Sequence, residues 1–442
     1  MDAKSEPTSR SAEVRAKHAE YLFPSVANYY QESLVLESGS GLRVTDADGA
    51  EYLDFFGGIL TVSVGHCEPR VTSAIKAQVD RLGHVSTLYP TLPIVQLAER
   101  LARITPGPLK KSFFTASGTE ADETAVALAQ IYTGSMELIA LRNGYSGRSM
   151  LAQSLTAHAP WRALPTQIAS IKHGMAPYCY RCPMGLEYPS CELKCAHDLK
   201  DLIQTTTTGK VAGFLAEPIQ GVGGFVTPPQ EYFQVAVDIV REHGGVFICD
   251  EVQTGFGRTG GHMFGIEHWG VQPDIMTMAK GVANGMPLGV TIATPEIADA
   301  FQALTISTFG GNPMSCASAE ATLEVIEGDG LVQNSAEVGA HLRAGLEDLA
   351  QRFPALVGDV RGKGLMQAIE LVVDEAAGDR TPHPQATLRL FEETKQRGLL
   401  IGKGGLYGNV VRISPPLNVG ISEVDEALGI LAESLAAVSA HI

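Results

Sequence analysis

Two short, uninterrupted runs of apolar residues lie close together near the middle of the chain. They occupy positions 246–249 and 275–278, and each contains β-branched residues. A short continuous apolar run is typical of a strand buried on both faces of a parallel sheet. Asp250 directly follows the first run, and Lys280 comes two residues after the second. We therefore expect two buried strands to deliver an acid and an amine to one edge of a sheet.

This pairing of an acid with an amine indicates a specific chemistry. An aldehyde cofactor with a pyridine ring needs a lysine to form a Schiff base and a carboxylate to keep the ring nitrogen protonated. Asp250 and Lys280 meet both needs. The alternative is that Asp250 is a turn or cap residue and Lys280 a solvated charge, as most such residues are.

Similar patterns predict an α/β protein with a largely parallel sheet. Apolar runs alternate with stretches of helical spacing through the middle of the chain, which favours that class. A hairpin with Asp48 and Gly49 in its turn is expected before them. After Asn312 and Pro313 a long helical stretch leads to a strand-like run and two amphipathic helices. The predicted strands are 111–115, 138–141, 211–216, 288–293 and 365–373, and the predicted helices are 71–82, 94–104, 118–132, 385–397 and 422–438.

A serine–glycine–threonine turn opens the helix predicted at 118–132. Ser117, Gly118 and Thr119 follow a strand directly and precede Glu120. The free backbone N–H groups of a helix N-terminus and the helix dipole attract anions, so this turn is a candidate phosphate site. Alternatively, Ser117 is only an N-cap with Glu120 as its partner. Both interpretations hold together.

Composition excludes several classes of partner. The chain has 442 residues, of which 45% are hydrophobic, and a formal net charge of -16. An acidic protein is not expected to bind nucleic acid or an anionic membrane surface. No apolar run approaches the roughly 18 residues of a membrane span. The first twenty residues are polar rather than signal-like, so we expect a cytoplasmic enzyme.

Four of the seven cysteines fall within one short stretch. Cys179, Cys182, Cys191 and Cys195 lie in a segment rich in proline and tyrosine. In a cytosolic chain, four close thiols favour a metal over disulfides, and this spacing suits structural zinc. An iron–sulfur cluster also takes four thiolates, and His197 is an alternative ligand. Free or paired thiols are the other interpretation.

Six motifs, in order along the chain, resemble the class III aminotransferases, which are pyridoxal-phosphate enzymes of fold type I. The resemblance runs from about residue 35 to the C-terminus. The motifs are Ser117-Gly118-Thr119-Glu120-Ala121, Asn143-Gly144-Tyr145, Ala216-Glu217-Pro218-Ile219-Gln220-Gly221, the run at 250–258, Ala279-Lys280-Gly281 and the run at 308–313.

The resemblance implies an architecture and a set of roles. It implies a large cofactor domain at 55–312 with a cysteine-rich insertion at 176–198, and a smaller α/β domain formed by residues 1–54 and 313–442. Pyridoxal 5'-phosphate would be bound covalently by Lys280 and at its ring nitrogen by Asp250. The remaining cofactor contacts would be Ser117, Gly118 and Thr119 to the phosphate, Val252 below the ring, Tyr145 above it and Gln253 at the phenolic oxygen.

The resemblance also implies a reaction and an assembly. Arg412 would bind a substrate carboxylate, and Glu217 would pair with Arg412 when the donor lacks an α-carboxylate; alternatively the two form a permanent ion pair. An amino acid or ω-amine would donate to an oxo acid by a ping-pong mechanism. Thr308 would complete the phosphate site of a neighbouring subunit, which implies a homodimer or a dimer of dimers. A lyase or aminomutase using the same cofactor is the alternative, and a non-catalytic cofactor-binding protein is a third interpretation.

Overall fold

The N-terminal part of the chain forms a helix and a small antiparallel sheet. The computed structural model describes residues 9–165 and 167–441. The first elements are α1 (Arg10–Tyr21), β1 (Leu36–Ser40), β2 (Arg43–Asp46) and β3 (Glu51–Asp54). The predicted hairpin is confirmed: β2 pairs antiparallel with β3, and Gly49 supplies the positive φ of 93° that its turn requires.

A single helical turn and two amphipathic helices lead into the main sheet. They are α2 (Gly57–Leu60), α3 (Pro69–Arg81) and α4 (Leu92–Ile104). Both longer helices were predicted from apolar spacing. Leu97 and Leu101 of α4 are fully buried. Apolar residues four positions apart lie on one face of a helix, and here that face packs against the core.

A seven-stranded sheet forms the centre of the molecule. Its order is β4-β10-β9-β8-β7-β5-β6. The strands are β4 (Lys111–Thr115), β5 (Leu138–Leu141), β6 (Ile171–Gly174), β7 (Gly213–Ala216), β8 (Val246–Asp250), β9 (Ile275–Met278) and β10 (Gly289–Ala293).

The sheet is parallel across five strands and antiparallel at one side. Strands β6, β5, β7, β8 and β9 run parallel to one another. Strand β10 pairs antiparallel with both β9 and β4. The expectation of a mainly parallel α/β sheet is confirmed. Because β8 and β9 are adjacent and parallel, their carboxyl ends deliver Asp250 and Lys280 to the same edge.

Helices cover the central sheet. They are α5 (Gly118–Thr133), α6 (Met150–Leu155), α7 (Lys194–Thr206), α8 (Tyr232–Glu242) and α9 (Pro295–Asp299). Helix α5 packs on β9, β10 and β8, so its N-terminus stands over the strands that carry the acid and the amine.

The C-terminal part contains a second helix pair and a second sheet. Strands β11, β12, β16 and β15 are neighbours in that order, and β14 pairs parallel with β3 of the N-terminal sheet. The elements are α10 (Pro313–Gly328), α11 (Leu331–Arg352), β11 (Val357–Lys363), β12 (Met366–Asp374), β13 (Asp379–Pro382), α12 (Pro384–Gln396), β14 (Leu399–Leu400), β15 (Gly402–Gly404), β16 (Val410–Ile413) and α13 (Ile421–Ser439). None of the helices in the described ranges is long and apolar enough to cross a membrane.

The cysteine-rich segment is fastened to this second sheet by a buried carboxylate. Glu370 of β12 is fully buried and accepts hydrogen bonds from Tyr178 and Arg181 of the segment. Arg361 of β11 lies 2.7 Å from the same carboxylate, and Asn409 lies 3.2 Å from it. This one side chain therefore ties the segment to β11 and β12.

Candidate active site

A cavity of about 260 Å³ lies at the carboxyl ends of β8 and β9, beneath the N-terminus of α5. In doubly wound sheets, ligands bind at this edge. The structure brings most of the predicted site residues together there. Those that line it are Gly118, Thr119, Tyr145, Glu217, Asp250, Val252, Gln253 and Lys280.

Asp250 is buried and Lys280 is half-buried, and both line this cavity. Burial lowers the pKa of Lys280 and raises the pKa of Asp250 to about 6, while the charge of each partly offsets the shift of the other. The Asp250 Oδ1 atom accepts a hydrogen bond of 2.9 Å from the Val252 N–H. The carboxylate is thereby oriented and Oδ2 remains for another donor. A lysine of lowered pKa supplies the neutral amine that carbonyl chemistry needs.

The N-terminus of α5 forms one wall of the cavity. Ser117 is the N-cap: its hydroxyl oxygen accepts from the Glu120 N–H, and Glu120 in turn accepts from the Ala116 N–H at 2.9 Å. The capping interpretation of Ser117 is therefore confirmed. The N–H groups of Gly118 and Thr119 belong to the first turn, where a helix offers no acceptor, so they are suited to an anion.

Two glycines show how closely this wall is packed. A Cβ on Gly118 would lie 3.2 Å from Val252, and a Cβ on Gly147 would lie 2.0 Å from Thr119 Oγ1. Gly147 also has a φ of 132°, which a side chain disfavours. The loop after Tyr145 therefore lies directly against the candidate phosphate site.

Tyr145 and Gln253 bound the middle of the cavity. The Tyr145 ring packs edge-on against Trp161 at a centroid distance of 6.0 Å. The Gln253 carboxamide is held against Gly221, where a Cβ would lie 2.2 Å from it. Among the described residues its buried Oε1 has no hydrogen-bond partner. A buried amide with an unused polar atom indicates a polar group of a ligand at this point.

Glu217 and Arg412 lie near each other without pairing. Glu217 accepts hydrogen bonds from the Tyr145 and Gly221 N–H groups, at 3.2 and 2.7 Å. Burial and then the charge of Asp250 raise the pKa of Glu217 to about 8, which favours its protonated form near neutral pH. Arg412 donates to the Lys403 and Gly221 carbonyl oxygens. Over the described residues there is no Glu217–Arg412 ion pair, so the permanent-pair interpretation is wrong for this structure.

Thr308 lies outside the cavity of its own chain. Its side chain is exposed, in the segment between β10 and α10. This position neither supplies a contact to the cavity lining nor tests the role that the resemblance implies for a neighbouring subunit.

The structure does not support the predicted metal site. Within the described ranges, no group of three or more His, Cys, Asp or Glu side chains is arranged to hold a metal ion. Cys179, Cys182, Cys191 and Cys195 instead line a small pocket of about 20 Å³ together with proline, leucine and tyrosine side chains, and none is disulfide-bonded.

The physical reason lies in the surroundings of the thiols. Burial raises the pKa of Cys179, and it raises the pKa of Cys195 to about 11. With no metal ion bound, a raised pKa keeps a thiol protonated, so Cys179 and Cys195 are not pre-formed thiolate ligands. Their spacing therefore produces a small apolar cluster.

Several residues of the site were not predicted from the sequence. Asp122 on α5 and the pair Ser146 and Arg148 also line the cavity. His158 is buried close to Arg412, and burial, followed by the charge of Arg412, lowers its pKa to about 4. One signal was present: Asp122 shares a helix face with Val126 and Ala129, and an acid on a buried face requires an explanation.

The residues of the cavity fit pyridoxal 5'-phosphate. A phosphate is suited to the first turn of α5, an aldehyde to the Lys280 amine and a ring nitrogen to the free oxygen of Asp250. The buried Oε1 atom of Gln253 has no hydrogen-bond partner among the described residues, which fits a polar group of the cofactor in the middle of the cavity. These groups line the same cavity.

The comparison with known families identifies the chain. The family model described as Aminotransferase class-III matches residues 25–435. The chain belongs to the class III aminotransferases. The recognised motifs are therefore family motifs, and the chain is an aminotransferase-family enzyme for which pyridoxal phosphate is the expected cofactor.

Individual relatives agree with this assignment. Alanine–glyoxylate aminotransferase 2 homolog 2, mitochondrial, of Arabidopsis thaliana is 44% identical over 93% of this chain and 84% of its own length. The human alanine–glyoxylate aminotransferase 2, mitochondrial, is 39% identical over 95% and 85%. The runs at 58–66 and 358–366 resemble the same enzyme. An amine transaminase from an uncultivated Pseudomonas species, solved in its PLP-bound form, aligns with a TM-score of 0.87 at 32% identity, over 100% and 99% of the two chains.

Proposed function

We propose that this enzyme transfers an amino group from an amino acid or ω-amine to an oxo acid by a ping-pong mechanism. Donors of the alanine, β-alanine or 3-aminoisobutyrate type and acceptors such as glyoxylate or pyruvate are the substrates that we favour. The observation that carries the proposal is the placement of Lys280, with its lowered pKa, in one buried cavity with Asp250.

Each residue of the cavity has a part in this reaction. Pyridoxal phosphate, when bound, supplies an aldehyde for covalent exchange of amines and a ring that takes up negative charge from the substrate carbon. Asp250, whose Oδ1 atom is used by the Val252 N–H, would keep the ring nitrogen protonated. The Nζ atom of Lys280 would be uncharged once released from the cofactor, so it could accept a proton from the substrate carbon and return it to the former aldehyde carbon of the cofactor.

The state of Arg412 supports a carboxylate-bearing substrate. Its guanidinium is buried between the Phe56 and Phe225 rings, at 4.9 and 5.6 Å. It donates hydrogen bonds to the backbone carbonyl oxygens of Lys403 and Gly221, which are neutral acceptors. A buried cation that contacts aromatic faces and neutral oxygens binds a carboxylate strongly. Glu217, which lies close by, would lose its proton and pair with Arg412 for donors that lack an α-carboxylate.

We also propose a homodimer, or a dimer of such dimers. Support comes from apolar side chains that are exposed in the segment containing Thr308, in the loop before α4 and at the first residue of α4. These are Leu88, Tyr89, Leu92, Leu304, Ile306 and Phe309. Apolar residues clustered on a surface mark an interface. If Thr308 serves the partner's site, mixed dimers of Lys280→Ala and Thr308→Ala subunits regain one intact site, and activity recovers on mixing.

Half-reactions test the transfer itself. Holoenzyme mixed with an amino donor alone should lose the absorbance of the Lys280-bound cofactor and release an oxo product. Oxo acid added afterwards should restore that absorbance, without release of ammonia. Steady ammonia release with no oxo acid present would instead identify the lyase alternative. A screen of donors and acceptors in this assay assigns the substrates.

A further inference from the structure

A third buried acid stands in the cofactor cavity beside those that the proposed reaction uses. Asp122 lies on the inner face of α5 and is 1% exposed. It lines the same cavity as Asp250, Glu217 and Lys280. The reaction described above gives this carboxyl group no part, although burying an acid is costly.

Asp122 is connected through the central sheet to the strand that carries Asp250, the acid assigned to the ring nitrogen. Thr277 of β9 is the register partner of Asp250 in β8, and paired residues point to the same face of a sheet. The Thr277 hydroxyl donates a hydrogen bond of 2.7 Å to Asp122 Oδ1. On the next strand Thr291, the register partner of Thr277, donates to the Ala121 carbonyl oxygen at 2.8 Å. Thr277 and Thr291 therefore bind the first turns of α5, and Thr277 is also the strand neighbour of Asp250.

The three acids of the cavity differ in how their charge is supported. Glu217 accepts two backbone N–H groups and Asp250 accepts one. Asp122 accepts a single neutral hydroxyl, and no ion pair of Asp122 occurs among the described residues. A buried carboxylate without a cation and beside other acids takes up a proton.

The electrostatic surroundings agree with this expectation. Burial, and then the charge of Asp250, raise the pKa of Asp122 well above its usual range. The charged groups that face Asp122 are Asp250 at the end of β8, Glu217 after β7 and Lys280 after β9. The charge of Glu217 also raises the pKa of Asp122. The Thr277 hydroxyl and the charge of Lys280 lower it.

We propose that Asp122 is a second acid of the cofactor site that stays protonated while Asp250 is ionised, so that the cavity presents one carboxylate charge to the ring instead of two. It is a positioning residue that acts through Thr277 and Asp250. A second negative charge would stabilise the protonated form of Lys280, so a neutral Asp122 favours the free amine. The functional meaning rests on the proposed reaction, whereas the protonation state does not.

The test compares Asp122→Asn with the wild type across pH, using holoenzyme at saturating pyridoxal phosphate. An acid whose folded pKa is raised stabilises the fold below its unfolded pKa of about 4, and that contribution is lost as pH rises toward the folded pKa. Asparagine does not titrate. The melting temperature of Asp122→Asn relative to the wild type should therefore increase by about 3 °C or more from about pH 5 to about pH 8. The matched control is Asp80→Asn, at an exposed position of α3, which should show no such trend.

A second comparison separates charge from packing. Because the charge of Asp250 contributes to the shift, the same substitution made in an Asp250→Asn background should show a smaller pH trend. If Asp122→Asn fails to retain cofactor, the wild type, Asp122→Asn, Asp250→Asn and the double variant are compared in their cofactor-free forms, where the expected trend is the same. A flat difference across pH, matching that of Asp80→Asn, would show that Asp122 is ionised in the fold and would overturn the proposal. None of these readouts needs turnover, so they stand even if amino transfer is not found.

Discussion

Glu217 and Arg412 are joined through the peptide groups of Gly221 and do not form an ion pair. The Glu217 carboxyl accepts from the Gly221 N–H at 2.7 Å, and Arg412 donates to the Gly221 carbonyl oxygen at 3.3 Å. The two side chains are thus held on either side of one residue. Arg412 keeps its charge uncompensated by a carboxylate, which prepares it for an acidic substrate.

Replacing Arg412 should therefore separate substrates by their carboxylates. In Arg412→Gln, we expect the KM of carboxylate-bearing donors to rise about tenfold or more, because a charge-assisted contact is lost. An amine without a carboxylate should be affected much less. Steady-state kinetics with both donor types measures this. Arg352→Gln, on an exposed part of α11, is the control; an equal rise for both donors would show that Arg412 is structural.

Removing the charge of Asp250 should impair chemistry more than binding. In Asp250→Asn we expect cofactor to be retained, while kcat falls on the order of 10² or more, because a neutral amide cannot hold the ring nitrogen protonated. Absorbance of bound cofactor and kcat are measured on the same preparation. Near-normal turnover would remove Asp250 from this role.

The buried carboxylate of Glu370 should be essential for stability. Although burial works in the opposite direction, Arg361, Tyr178 and Arg181 hold the pKa of Glu370 below its usual value. Glu370→Gln removes the carboxylate that Arg181 and Arg361 share and leaves Arg361 paired with Asp359 alone, so we expect a loss of about 3 kcal/mol in the free energy of unfolding. Urea denaturation measures it.

A neighbouring acid provides the matched control for Glu370. Glu375 contacts Tyr180 and Arg380 at a partly exposed site. Glu375→Gln should cost no more than about 1 kcal/mol. Equal effects of the two substitutions would contradict the account of Glu370 as the attachment point of the cysteine-rich segment.

The cysteine cluster should behave as packed thiols. We expect elemental analysis to find no stoichiometric zinc or iron, and chelators to leave the melting temperature unchanged. Cys182→Ser should cost about 1 kcal/mol through packing alone. One zinc per chain, lost in Cys182→Ser, would restore the interpretation drawn from the spacing.

The sequence allowed much of the large sheet to be predicted, because buried strands differ clearly from their surroundings. The run at 275–278 coincides with β9, and Asp250 and Lys280 lie at one edge as expected. The antiparallel direction of β10 was not predictable, since an apolar run reads the same in either orientation. Asp122 was missed because its role depends on Thr277, which only the fold places beside it.

The cysteine segment shows a different limit of sequence reasoning. The spacing of Cys179 and Cys182 shows that they are close along the chain, but it does not show how their sulfur atoms are oriented. The geometry of a metal site therefore could not be predicted from it. Whether Glu217 and Arg412 form a permanent pair was equally open, since the Gly221 peptide that separates them is a tertiary feature.

The central claim is that Lys280 is the residue through which this enzyme acts on its cofactor. Among the described residues that line the cavity, Lys280 is the one primary amine. The most direct test is multiple-turnover amino transfer by Lys280→Ala at saturating pyridoxal phosphate, recorded together with the absorbance of the covalently bound cofactor. We predict that both are abolished while the melting temperature stays close to that of the wild type. Sustained turnover in this variant would contradict the account.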